Sequence, residues 1–135
     1  KRLPHVVFVG WVSQGALSAL YARSYIGMMC YLDRFDFQLS IPNKVSDFTR
    51  SSMRILTNLT GEMQRVLGPD NLLIPYPTGD ADALRDKLIE VAESPALYRT
   101  KTPAARAVFD QLFDASTVMP EFATYVEQIA KEGSA

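Results

Sequence analysis

Histidine and cysteine occur once each in this chain of 135 residues, as His5 and Cys30. A single cysteine excludes an internal disulfide, and the two together are too few for a zinc or iron–sulfur ligand set. Cys30 lies in the apolar stretch Ile26-Gly27-Met28-Met29-Cys30 and is expected as a small core hydrophobe. The lack of a second histidine also weighs against a hydrolase triad, since Ser13, Ser40 and Ser46 have no G-x-S-x-G context. Neither G-x-G-x-x-G nor a P-loop occurs, which removes the usual oxidoreductase and ATPase signatures. With 14 basic and 15 acidic residues the net charge is −1, and the positives are scattered, so nucleic acid is not an expected partner. No apolar run approaches the roughly 20 residues of a bilayer span, and no secretory leader pattern is visible, so the expected location is the cytoplasm.

What is present is the balance of one globular domain, 47% apolar and 21% charged. The periodicities predict alternating strands and helices. His5–Val9 reads as a buried strand ending at Gly10; Ser13 caps a helix to about Ser24 carrying Leu17, Leu20 and Tyr21; Tyr25–Tyr31 reads as a second strand. After a charged and aromatic loop from Leu32 to Leu39, Pro42 marks a helix start that runs to about Ser52. Met53–Thr57 is the third strand, Gly61–Leu67 a short helix, and Leu72–Pro75 the fourth strand. Asp80 then caps a helix whose Leu84, Leu88 and Val91 share one face, and helices over Pro103–Phe113 and Met119–Lys131 close the chain, the last with Phe122, Val126 and Ile129 on one stripe. Such βα alternation predicts an α/β fold with a parallel sheet and helices on its faces.

In parallel sheets ligands sit beyond the carboxyl ends of the strands, which directs attention to the loops after Val9, Tyr31, Thr57 and Pro75. Ser40-Ile41-Pro42-Asn43-Lys44 leads into a helix whose first N–H groups favour an anion, and Lys44 adds a charge there. One turn later Asp47 is a carboxylate able to accept from two neighbouring hydroxyls. The same residues also describe an ordinary helix start with a solvated lysine. His5 reads as a strand-start residue, and Trp11, Phe35 and Phe37 read as packing residues more than as stacking platforms.

Gly10-Trp11-Val12 after a strand, the S-x-P-N-K-x-x-(E/D) run from Ser40 to Asp47, Gly61-Glu62-Met63, and L-L-x-P-x-x-x-G-D-x-x-A-L from Leu72 to Leu84 follow one another in an order that resembles the C-terminal domain of GT-B glycosyltransferases of the group 1, family 4 type. The resemblance extends from about His5 to Lys131. It implies a Rossmann-like α/β/α domain that binds a UDP- or GDP-linked sugar as substrate, with no separate cofactor and no metal. The transfer it implies is to a glycan or lipid-linked acceptor in cell-surface polysaccharide synthesis. By the same resemblance Gly10, Trp11 and Val12 border the base, Asp47 holds the ribose, Ile41, Pro42, Asn43 and Lys44 lie near the diphosphate and sugar, and Gly61 and Glu62 line the next loop.

The chain departs from the family pattern in three ways. The first acid of the family's E-x7-E pair is replaced by Leu39. The Gly and Pro that end the helix are replaced by Ser52 and Arg54, and a serine in a left-handed position costs about 1 kcal/mol relative to glycine. The first βαβ unit of the domain, which carries the Arg and Lys that grip the donor diphosphate, has no counterpart here. The expectation is therefore residues 1–135 as a partial domain, inactive alone, whose parent enzyme carries an N-terminal acceptor domain and works in the cytoplasm, including at the inner membrane face. The two missing strands are the central pair of the family's sheet, so a gap is expected between His5–Val9 and Tyr25–Tyr31, inviting re-pairing or self-association. The alternative is a non-catalytic α/β binding or oligomerisation module derived from the same fold. A flavodoxin-like regulatory module is disfavoured because Phe8-Val9-Gly10 offers no acidic cluster.

Overall fold

A computed structural model describes residues 4–133. Its centre is a parallel sheet of three strands, β1 (Ile26–Met29), β2 (Arg54–Thr57) and β3 (Leu73–Pro75), in the order β1-β2-β3. Gly27 stands opposite Ile55, and Ile55 opposite Leu73. The chain is thus a mixed α/β fold built on a small parallel sheet. Ahead of β1 lies α1 (Gln14–Arg23); α2 (Phe35–Gln38) and α3 (Lys44–Arg50) connect β1 to β2, and α4 (Glu62–Leu67) connects β2 to β3. After β3 come α5 (Ala81–Glu93), α6 (Pro95–Tyr98), α7 (Pro103–Leu112) and α8 (Ala115–Glu132).

The alternation of side chains along β2 divides the core in two. Ile55 joins a cluster with Val45 and Phe48 of α3, Met63 and Leu67 of α4, and Val108 of α7. Its neighbour Leu56 joins Ile74, Tyr76 and Tyr98, with Leu84 and Val91 of α5 packed alongside. Three helix starts follow the capping rules. Ser13 Oγ accepts from Ala16 N at 3.3 Å, Asp80 Oδ1 from Ala83 N at 2.8 Å, and Asp114 Oδ1 from Ser116 N at 2.8 Å.

His5–Val9 forms no strand. It runs as an unpaired segment, with Val7 81% and Phe8 88% exposed. The reason is the partner: β1 pairs only with β2, and a strand former with no neighbouring ladder leaves its backbone groups to water. Four smaller expectations are also corrected. Cys30 is exposed, because it lies one residue past β1, turned away from the cluster that holds Met29 and at the open rim of the smaller one beside Tyr76. Leu88 is 45% exposed while Lys87 is half-buried, so α5 meets the sheet through Leu84 and Val91. Pro42 precedes the helix, which begins at Lys44 after Asn43, although Pro42 O already accepts from Val45 N at 2.9 Å. The loop from Leu32 to Leu39 contains the short helix α2, formed as Gln38 N and Leu39 N bond back to Arg34 O and Phe35 O. Helix α8 extends four residues further toward the N-terminus than its periodicity indicated. Phe122, Val126 and Ile129 are about half exposed on it.

The departure at Ser52 has a clear structural outcome. Ser52 takes φ +57°, the left-handed conformation for which glycine is favoured. Its N–H bonds Thr49 O at 2.9 Å, and Met53 N–H bonds Phe48 O at 2.9 Å, the paired bonds of a Schellman motif. Phe48 and Met53, the two residues joined by the outer bond, are both buried in the same cluster. The serine therefore keeps the chain's course and bears the strain. Ser52→Gly is expected to raise the urea midpoint by the equivalent of about 0.5–1 kcal/mol with an unchanged m-value.

A second constraint sits in β1. A Cβ on Gly27 would overlap the Phe48 ring, so the strand and α3 approach closely only because this residue has no side chain. Gly27→Ala is expected to cost about 1–3 kcal/mol in chemical denaturation, and the added change Phe48→Leu to recover part of that loss. Additive losses in this double-mutant cycle would show that the two residues do not share one volume.

Candidate functional site

The sequence-predicted residues do not meet at one point. Gly10 has φ +63° and no packing neighbour, Trp11 is fully exposed, and Val12 is half-buried as the chain turns into α1. Ile41 packs against the core, Pro42 is half-buried, and Asn43 and Lys44 are exposed at the start of a helix of seven residues. No side chain caps that helix; Ser46 Oγ instead donates to Asn43 O at 2.8 Å. Gly61 and Glu62 belong to a separate cluster. The Thr60 and Gly61 N–H groups both donate to Gln38 Oε1 at 3.0 Å, and a Cβ on Gly61 would overlap Gln38 O. Glu62 accepts from Arg65, with Nε at 2.8 Å, and that bond holds its carboxyl below the usual range.

Asp47 is the predicted residue that the fold places in a groove. Helices α1 and α3 lie side by side, and the space between them, about 260 Å³, is lined by Gln14, Ser18 and Tyr21 on one wall and Asp47, Arg50 and Ser51 on the other. Gln14 is the first residue of α1 after its cap Ser13, and no residue of the Gly10–Ser13 segment lines this groove. Across α3 a second cleft of about 410 Å³ continues from the first, sharing Asp47, Arg50 and Arg106 and adding Phe109, Phe113 and Asp114. The Asp47 carboxylate has no side-chain hydrogen bond or ion pair among the described residues. Its charge is felt by Tyr21, whose phenol is raised above its ordinary range first by burial and then by Asp47.

The groove exists because Lys101 fixes its two walls. Its ammonium donates to Tyr21 O at 2.9 Å, Ser24 O at 2.6 Å and Ser51 O at 2.7 Å, so its three protons satisfy carbonyls at the ends of both α1 and α3. Burial holds Lys101 below the ordinary lysine range. An edge-to-face contact of Tyr21 on Phe48, with centroids 5.6 Å apart, seats α1 against α3.

A further crevice lies beyond the carboxyl ends of the three strands, about 250 Å³, with Cys30, Tyr31, Asn58, Tyr76, Gly79 and Asp80 around it. Buried Asn58 knits it together. Its Nδ2 donates to Tyr31 O at 2.7 Å and Thr78 Oγ1 at 2.9 Å, while its Oδ1 accepts from Tyr31 N at 2.9 Å. Burial, aided by the neighbouring Cys30 thiol, pushes the Tyr76 phenol up to about 12. Asn58 carried a visible signal, a polar residue immediately after a buried strand. Lys101 and Arg106 did not, since their partners lie far away in sequence. No group of three His, Cys, Asp or Glu residues is placed to hold a metal ion among the described residues.

Lys101→Met keeps the length of the stem and removes all three donors. It is expected to cost about 2–3 kcal/mol and to speed amide exchange in α1 before the rest of the fold, as measured by hydrogen–deuterium exchange. No protein-family model, no curated protein and no solved structure matches this chain.

Proposed function

We propose that this chain is the donor-binding part of a GT-B glycosyltransferase, a Rossmann-like α/β/α domain that takes a UDP- or GDP-linked sugar for transfer to a glycan or lipid-linked acceptor. The observation that carries the reading is the groove between α1 and α3. It holds an unpaired carboxylate at Asp47, where the resemblance puts the ribose, and its other wall begins at Gln14, two residues after the Gly10–Val12 segment where the resemblance puts the base. Supporting it are three parallel strands in consecutive order, the order of strands four to six in that fold, with hydrophobic clusters on both sheet faces. The left-handed Ser52 stands where the family has glycine, so the helix that bears Asp47 ends as the family's does.

In this reading the remaining strands of the domain add to the free edge of β1, and His5–Val9 finds its ladder on their far side. An acceptor domain completes the enzyme. The chemistry is transfer of the glycosyl group with the leaving diphosphate stabilised by fixed cationic and N–H groups. The parent works in the cytoplasm or at the inner membrane face; no described helix is long and apolar enough to cross a membrane. The alternative, a non-catalytic binding or oligomerisation module, draws on the apolar exposure of Val6–Val9 and of Phe122, Val126 and Ile129.

Calorimetric titration of UDP and GDP into the full-length protein separates the two. One nucleotide is expected to bind, and Asp47→Ala to weaken it about tenfold or more, the loss of a charged hydrogen-bond acceptor. No heat from either nucleotide would leave the non-catalytic module standing.

A further inference from the structure

The Asp47 groove has cations that nothing in the proposed donor site uses. Arg50 is one helical turn beyond Asp47, and its guanidinium makes no hydrogen bond or ion pair among the described residues. Arg106 reaches the same space from α7 and lines both clefts with it. The guanidinium carbons stand 5.8 and 5.2 Å from the centroid of one ring, Phe109, which gives the two cations a shared aromatic neighbour. Preorganised guanidinium groups suit the oxygens of a phosphate.

Two nearby carboxylates are already engaged, and each also faces the arginines. Asp110 takes the Nε of Arg106 at 2.8 Å, which leaves the terminal nitrogens of that fork. Asp114 lines the second cleft and accepts from the N–H and hydroxyl of Ser116 at the start of α8, and those bonds, followed by the charges of Arg106 and Arg50, hold its carboxyl below the usual range. Asp47 alone remains an unused acceptor, and it differs from the arginines in what it recognises, hydroxyl donors instead of anionic oxygens. Three residues of helix separate Asp47 from Arg50, about 4.5 Å of axial rise.

We propose that Arg50 and Arg106 form the anion grip of the Asp47 groove, and that its ligand is a phosphorylated vicinal diol whose hydroxyls bond Asp47 while its phosphate bridges the two guanidiniums. This assignment rests on the reading of Asp47 as the diol acceptor, and it moves the phosphate from the Ile41–Lys44 end of α3, where the resemblance put it, to the Arg50 end. A nucleoside diphosphate and a simple sugar phosphate share the chemistry, and the two sources are told apart by binding.

The test titrates UDP, GDP, uridine and ribose 5-phosphate into the full-length protein and into Arg50→Gln, Arg106→Gln and the double variant, with thermal melts confirming that each folds. With UDP as the ligand, each single change is expected to weaken binding about tenfold and the pair about a hundredfold, while uridine affinity stays constant. A structural defect would lower uridine and UDP together, so a proportional loss of both overturns the grip. Unchanged affinity for every phosphorylated ligand overturns it too, while Asp47-dependent UDP binding in the same variants would leave the donor reading intact. Arginine-dependent binding of ribose 5-phosphate without UDP or GDP binding would support the grip and remove the nucleotide-sugar reading. No binding by any of the four ligands overturns both.

Discussion

Three carbonyls converging on one ammonium hold α1 and α3 in register. Helices α1 and α3 end at the same side of the sheet, and each leaves unsatisfied carbonyls there. Ser52 N–H and Met53 N–H take care of Thr49 O and Phe48 O, while Lys101 takes Tyr21 O, Ser24 O and Ser51 O. Because α1 contributes no fully buried residue, its position follows from this polar clasp and the Tyr21–Phe48 contact more than from area removed from water. The groove that holds Asp47 is therefore a product of hydrogen bonding, and its width is set by a residue that follows α6, distant in sequence from both walls.

The two faces of the sheet are unequal in how they are secured. Toward α3, α4 and α7 the core is continuous and includes fully buried Val45, Ile55, Met63, Leu67 and Leu72. Toward α5 and α6 four buried residues suffice, and polar contacts assist: the Tyr98 hydroxyl donates to Glu90 at 2.6 Å, and Lys87 to the same carboxylate at 2.8 Å. Both donors hold the Glu90 carboxyl below its usual range, Lys87 foremost. Depression of a folded-state carboxyl means that its contribution is present above the ordinary glutamate range and fades as pH falls through the depressed value. The partners lie substantially in water, so that contribution is small.

Much of this arrangement was legible in the residues, and the failures have a common cause. The helices after Ser13 and Asp80, the strands around Ile55 and Ile74, and the apolar stripe on α8 follow from caps and periodicity, which act over a few residues. His5–Val9 shows the limit: its β-branched run is a strand signal, but a strand is a relation between two segments, and β1 offers no pairing to it here. Cys30 and Leu88 looked like core because apolar runs do not say where an element stops or how it is rotated. At the candidate site, Asp47 could be named from its place in a helix start. Its companions Arg50 and Arg106 come together only when α7 packs on α3, which local sequence does not encode.

The Gln38 carboxamide has an implication for the loop beyond β2. Thr60 and Gly61 present two parallel N–H groups, the arrangement by which backbone captures an oxygen, and one oxygen is already seated there. Any anionic ligand that reached this loop would compete with a neutral side chain tethered to α2. Occupancy would then be an exchange, with the Gln38 side chain displaced while Phe37 of the same helix stays packed against the core. The loop thus carries its own surrogate ligand, and the helix from Phe35 to Gln38 serves as the tether that keeps it in place.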